Sequence, residues 1–252
     1  MKVIKDIFYT PEMRAAQSLD VYLPEDCESF PTFVYFHGGG IRNGSKSGKT
    51  AMVLADWLTS HGVALVSAEY RLYPHAHYPD FIYDAAAAVA WAVKHMPEHG
   101  ANGKVFVGGS SAGGYLSMML CFCKKYLQLH KICPEELAGF VHDAGQPTAH
   151  FNVLAERGID SRRVIVDESA PLWHIGIEAD YAPMLFLVSD NDMKNRYEQT
   201  QLVISTLRHF GYDESKYECK LMHGSHCKHD VAMDENGESV FGKIICEFIE
   251  KH

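Results

Sequence analysis

Ser111 lies at the centre of Gly109-Ser110-Ser111-Ala112-Gly113, between the apolar run Val105-Phe106-Val107 and the helix-like Tyr115-Leu116-Ser117-Met118-Met119-Leu120. A serine on a sharp strand-to-helix turn is held in a strained backbone conformation, which tolerates only small neighbours. The turn lifts the hydroxyl clear of the sheet and aims the first helical N–H groups at whatever binds there. Covalent ester chemistry at Ser111 is the expectation. His37-Gly38-Gly39-Gly40 follows the apolar run Thr32-Phe33-Val34-Tyr35-Phe36. Glycines at a strand end leave amide donors uncrowded, as the oxyanion of a tetrahedral intermediate requires. A serine hydroxyl also needs a base, and the base needs an orienting acid. Met184-Leu185-Phe186-Leu187-Val188 runs into Ser189-Asp190-Asn191-Asp192, and the segment ending at Met222 runs into His223-Gly224-Ser225-His226. Asp192 is favoured over Asp190, the other being a capping or loop residue. His226 is favoured over His223, which lies closer to the strand. His223, His226, Cys227 and His229 cluster, but no matched carboxylate or thiolate pattern accompanies them, so no metal is expected.

Elements that would hold these groups alternate along the chain. Strand patterns occupy Val3–Tyr9, Ser18–Leu23, Thr32–Phe36, Ala64–Ala68, Lys104–Gly108, Ala138–His142, Met184–Ser189 and Lys216–Leu221. Helix patterns occupy Lys49–Thr59, Asp80–Lys94, Ala112–Gln128, Arg196–Phe210 and Glu238–Glu250. The central strands are continuous apolar runs, as when helices cover both faces of a sheet. Short turns early and helical connections later predict an α/β fold: a mixed sheet of about eight strands with a parallel centre. Asp and His at the ends of consecutive strands then fall on the same sheet edge as Ser111, where ligands bind in open sheets. Residues 146–176 show no clean period and are expected to form a small cap over the site. Trp173, Tyr73, Phe151 and Arg42 are further candidates for lining the pocket, although a packing or surface role is the expectation for each.

The 252 residues suit one domain, residues 1–252, able to bury roughly three quarters of the unfolded surface. A net charge of −9 argues against nucleic acid or an anionic membrane as partner. Seven cysteines without CxxC pairing read as free thiols in a reducing compartment. No run approaches the ~18 apolar residues of a membrane span. Lys2 and Lys5 interrupt any signal-like start, so a cytoplasmic location is expected.

Taken in order, the glycine loop at 37–40, Gly109–Gly114, Ser189–Asp192 and Gly224-Ser225-His226 resemble an α/β-hydrolase. They are most similar to hormone-sensitive-lipase-like carboxylesterases and the related acetyl and feruloyl esterases of carbohydrate esters. Glu69-Tyr70-Arg71-Leu72-Tyr73-Pro74 resembles that family's Tyr-Arg-Leu-x-Pro segment. The resemblance runs from about Leu19 to Phe248. It implies Ser111 as nucleophile, His226 as general base and acid, and Asp192 as its orienting partner. It further implies amides of Gly39, Gly40 and Ala112 as the oxyanion hole, with Gly38 able to stand in for Gly40. Two departures matter: Ser110 stands where the family often has Asp or Glu, and with the first strand expected near Val3 the family's long N-terminal cap is not expected. An open cleft suited to a bulky sugar or aromatic alcohol is expected, rather than one for long-chain lipid.

The expected function is therefore a serine carboxylic-ester hydrolase acting through an acyl-enzyme on short-acyl, carbohydrate or aromatic esters, without a cofactor. Its partner would be a small-molecule or oligosaccharide ester; oligomeric state is open. An amidase, peptidase or arylformamidase with the same machinery is the main alternative, since fold and triad do not fix the scissile bond. Gly44-Ser45-Lys46-Ser47-Gly48-Lys49-Thr50 imitates a phosphate-binding P-loop, but that pattern needs glycine at Asn43. A non-catalytic protein on the same scaffold would lack a triad member, and none is missing.

Overall fold

The computed structural model describes residues 1–25 and 27–252. Eight strands form one sheet: β1 (Lys2–Phe8), β2 (Ser18–Leu23), β3 (Phe30–Phe36), β4 (Ala64–Ala68), β5 (Ala101–Ser110), β6 (Gly139–Asp143), β7 (Met184–Asn191) and β8 (Tyr217–Ser225). Their order is β1-β2-β4-β3-β5-β6-β7-β8. β1 and β2 pair antiparallel, as do β2 and β4, and every later pairing is parallel. The helices are α1 (Lys49–Ser60), α2 (Asp80–His95), α3 (Ala112–Phe122), α4 (Lys125–Gln128), α5 (Phe151–Glu156), α6 (Arg196–His209) and α7 (Val240–Lys251). No helix among the described residues is long and apolar enough to cross a membrane.

Successive strand side chains point to opposite faces, and the core divides accordingly. Val34, Phe36, Val66 and Val107 pack against α2, α3 and α6 through Ala85, Val89, Leu116 and Val203. Phe33, Tyr35, Leu65 and Phe106 face the other way, against Leu54 and Leu58 of α1 and Phe241, Ile245 and Phe248 of α7. Every residue of β4 and β6 is buried, as expected for strands covered on both sides. The alanines of α2 let its backbone approach closely, with Ala85, Ala86, Ala88 and Ala92 at zero exposure.

Two helix boundaries depart from expectation by more than one residue. The helix expected from Ala112 to Gln128 breaks after Phe122, because Cys123 adopts φ −108° and ψ 87°. That rotation takes its carbonyl off the helix axis, and α4 starts as a separate turn. α7 begins at Val240 rather than Glu238, because the Ser239 hydroxyl caps the helix by accepting the Gly242 N–H at 3.0 Å. Residues 146–176 contain α5 and one short 3-10 turn, Pro171–His174. Gln146 to His150 are buried and most of 157–168 is exposed.

Candidate active site

The turn between β5 and α3 places Ser111 at φ +56° and ψ −108°, a conformation that L-residues rarely adopt. Its N–H donates to the Asp143 carbonyl at 2.8 Å, and its carbonyl accepts the Tyr115 N–H at 3.0 Å. These two bonds hold the strained residue between the ends of β6 and α3. Alanine favours a helix over glycine by about 1 kcal/mol, yet a Cβ at Gly113 would collide with the Phe36 carbonyl. A collision with backbone outweighs propensity, so position 113 must remain bare.

His226 follows the end of β8 and places Nε2 2.8 Å from Ser111 Oγ. Its Nδ1 lies 2.6 Å from Asp192 Oδ1, just past the end of β7. The carboxylate accepts the proton on Nδ1, which leaves the Nε2 lone pair facing the serine hydroxyl. Asp192 is itself anchored by N–H groups of Ser189 and Met193, at 3.1 and 2.7 Å. Its side chain is 1% exposed. Burial raises its carboxyl, but the His226 contact and those two amides outweigh burial and hold it below its ordinary value. The rival acid and base pair with each other instead. His223 Nδ1 meets Asp190 Oδ2 at 2.8 Å on the surface, with His223 90% exposed.

The glycine loop after β3 is pinned from several sides. His37 Nδ1 donates to the Gly38 carbonyl at 2.7 Å, and its Nε2 lies 3.1 Å from Glu69. The Tyr70 hydroxyl donates to the His37 carbonyl at 2.7 Å, and the two rings stack. Gly39 and Gly40 take φ of +113° and +64°, and a Cβ on Gly39 would strike the Asn43 backbone. Among the described residues, no protein oxygen accepts the N–H of Gly38, Gly39, Gly40 or Ala112. The donors expected from sequence are thus unengaged, and Gly38 passes so close to the turn that a Cβ added to it would lie 3.3 Å from that of Ser111. Gly38, Gly39, Gly40, Ser111 and His226 line one cleft of about 690 Å³, while Ala112 is fully buried behind the turn.

Phe151 and Arg42 line this cleft, where a packing or surface role was the expectation for each. Trp173 is half exposed and lines a different depression, and the buried Tyr73 donates its hydroxyl to Glu156 at 2.5 Å, away from Ser111. Sequence reasoning missed Asn152, whose side chain takes the Arg42 Nε–H at 2.8 Å and donates to the Gly40 carbonyl. No spacing rule marks such a residue. Lys46 of the P-loop-like segment is buried and ion-paired with Asp6 and Asp20, so its charge is spent within the fold. Cys227 also lines the cleft, but burial pushes its thiol well above the ordinary value, which disfavours the reactive thiolate.

Beneath the turn lies a buried cluster that the sequence did not reveal: Asp143, His229 and Asp230, with one donor atom from each within 4.8 Å of the others. His229 Nε2 is 2.8 Å from Asp143 Oδ1 and 3.5 Å from Asp230 Oδ1. The spacing to Asp143 is that of a hydrogen bond, while Asp143 Oδ2, His229 Nδ1 and Asp230 Oδ1 are buried without a partner among the described residues. Asp143 also ends a parallel strand, but no spacing in the sequence ties it to His229. Burial, and then the Asp143 charge, push the Asp230 carboxyl well above its ordinary value of 3.8. Burial also raises Asp143, but the His229 charge and hydrogen bond outweigh it and leave it lowered. An acid raised in the folded state contributes its full stability below its unfolded value and loses it as pH climbs to the folded one. Asp230→Asn, an amide with no proton to lose, can donate to the unpartnered Asp143 Oδ2. Its melting temperature should exceed the parent's, by on the order of 2–4 °C per kcal/mol at this length. Thermal melts should show that gain widening from about pH 4 to about pH 8; a gain that shrinks over this range contradicts the protonated reading.

The curated relatives that the chain matches are esterases by name. It is 32% identical over 151 residues to "Probable carboxylesterase 7" of Arabidopsis thaliana, covering 55% of this chain and 47% of that protein. It is 27% identical over 214 residues to "Esterase LipC" of Mycobacterium tuberculosis, covering 77% and 52%. The chain therefore spans about half the length of the curated relatives it matches. Among solved structures, the inhibited esterase B of Lactobacillus rhamnosis superposes with a TM-score of 0.78 at 19% identity, covering 99% of this chain and 87% of that one. That likeness establishes an α/β-hydrolase fold. The BD-FAE family model matches residues 19–152, just over half the chain, taking in both the glycine loop and the serine turn. On that match the chain belongs to the BD-FAE family.

Proposed function

We propose that the chain is a serine carboxylic-ester hydrolase that acts through an acyl-enzyme at Ser111 on short-acyl, carbohydrate or aromatic esters. The observation that carries this reading is the unbroken relay Asp192–His226–Ser111, with spacings of 2.6 and 2.8 Å, opening on a cleft lined by unengaged amides. The names of the curated relatives support ester hydrolysis. His226 Nε2 takes the Ser111 proton as Oγ attacks the ester carbonyl. Amides of Gly39, Gly40 and Ala112 hold the oxyanion, each donor lowering the barrier by about 3 kcal/mol. Protonated His226 then gives its proton to the leaving alcohol, and water repeats the sequence to free the acid. Asp192 holds the ring and stabilises the imidazolium without itself taking the proton. The cap role expected of residues 146–176 belongs to the same proposal, since Phe151 and Asn152 form one wall of the cleft.

A panel of p-nitrophenyl esters from about two to twelve carbons, run beside acetylated sugars, feruloyl esters and p-nitroacetanilide, tests the reading. Fastest turnover on the shortest acyl groups or on the carbohydrate and aromatic esters is expected. Preference for long-chain esters contradicts the substrate class, and preference for the anilide contradicts the ester reading.

A further inference from the structure

A second cavity, of about 520 Å³, adjoins the Ser111 cleft and shares Phe151 and Met193 with it. Met193 directly follows Asp192, so the two spaces meet beside the candidate acid. Arg162, Arg163, Lys194 and Arg196 line this second cavity, and no Asp or Glu does. Such a lining is unexpected in a chain of net charge −9. Arg162 is paired with Asp160 at 2.6 Å, but among the described residues Arg163, Lys194 and Arg196 have no carboxylate within ion-pair distance.

Arg196 is the informative member. It is 5% exposed, and Nη1 donates to the Ala144 carbonyl at 2.8 Å. A guanidinium has five N–H donors in a fixed fork, and among the described residues Nε and Nη2 find no acceptor. Burial pushes its pKa down to about 10, partly offset by the fields of Asp192 and Asp143, which do not bond it. It nevertheless remains charged at neutral pH. Burying a cation costs free energy unless a paired group offsets it, and the cavity is where such a group would arrive. Gln199 and Gln146 add neutral polar groups to its wall.

From this geometry we infer that the adjoining cavity is a subsite for an anionic substituent carried by the substrate, held by Arg196 with Arg163 and Lys194 at its mouth. The inference rests on the ester-hydrolase reading and names the substrate class: an ester with a carboxylate or similar anion on its acyl or its alcohol arm. The fork of Arg196 suits a planar carboxylate. The exposed Arg163 and Lys194 would attract the anion from solution.

Two isosteric pairs test it and separate the arms. On the acyl arm, p-nitrophenyl hemiglutarate is compared with p-nitrophenyl pentanoate; on the alcohol arm, 4-acetoxybenzoate is compared with p-tolyl acetate. In at least one pair the anionic ester should be favoured by about tenfold or more in kcat/KM, and about 0.5 M salt should reduce that ratio. Arg163→Glu with Lys194→Glu, both at exposed positions, should bring the ratio to one or below. An anionic-to-neutral ratio at or below one in both pairs, with the neutral esters hydrolysed, overturns the subsite and leaves the esterase reading intact. If no ester is hydrolysed, calorimetric titration of Ser111→Ala with glutarate and with 4-hydroxybenzoate decides separately. Binding of either that is lost on the double charge reversal supports the subsite; absence of binding overturns it.

Discussion

Ser111→Ala should lower kcat on a p-nitrophenyl ester by at least about 10⁴-fold while circular dichroism and melting temperature stay near the parent's. The hydroxyl is the only group removed, and the fold does not depend on it. The residue is held instead by its own N–H to Asp143 and its carbonyl to Tyr115, which alanine retains. His226→Ala should cost about as much, and the double variant little more than either, because attack and proton removal are one event. Additive losses would mean that Ser111 and His226 act in separate steps. What rate remains should come from the amide cradle, which neither substitution disturbs.

Asp192→Asn is the second large effect, about 10⁴-fold in kcat by the same physical argument. An amide offers Nδ1 an N–H where it now meets an acceptor. The ring then adopts the other tautomer and presents a proton, not a lone pair, to Ser111. Asp190→Asn should change kcat by less than about threefold, because its partner His223 is out in solvent. Steady-state kinetics on the two variants settle the choice between carboxylates. Equal losses, or the larger loss at Asp190, would show that the relay runs through the surface pair.

How far such a site can be read from sequence depends on whether a residue acts through its own local turn or through a distant neighbour. Ser111, Asp192 and His226 each follow an apolar strand, and parallel strands deliver their carboxyl ends to one edge. Strand pattern and chain order were therefore enough to gather them. Asp190 and His223 are set apart from Asp192 and His226 at the strand ends, where β7 and β8 run on to Asn191 and Ser225. One residue more or less of pleat decides which side chain faces the cleft and which faces water. Asn152 and the Asp143–His229–Asp230 cluster were not visible for the opposite reason. Asn152 reaches the glycine loop across 112 residues of chain, and His229 meets Asp143 across 86. No local period encodes such meetings. The break at Cys123 was missed because Tyr126 and Leu127 resume the apolar spacing after Lys124 and Lys125, and no glycine or proline marks the turn.

The most direct measurement is covalent trapping. The protein is incubated with a fluorophosphonate, digested, and the modified peptide sequenced by mass spectrometry. One phosphonyl group on Ser111, absent from Ser111→Ala and greatly slowed in His226→Ala, is the predicted result. No adduct on the wild-type protein, or an adduct on another residue such as Cys227 or Ser110, would contradict the account.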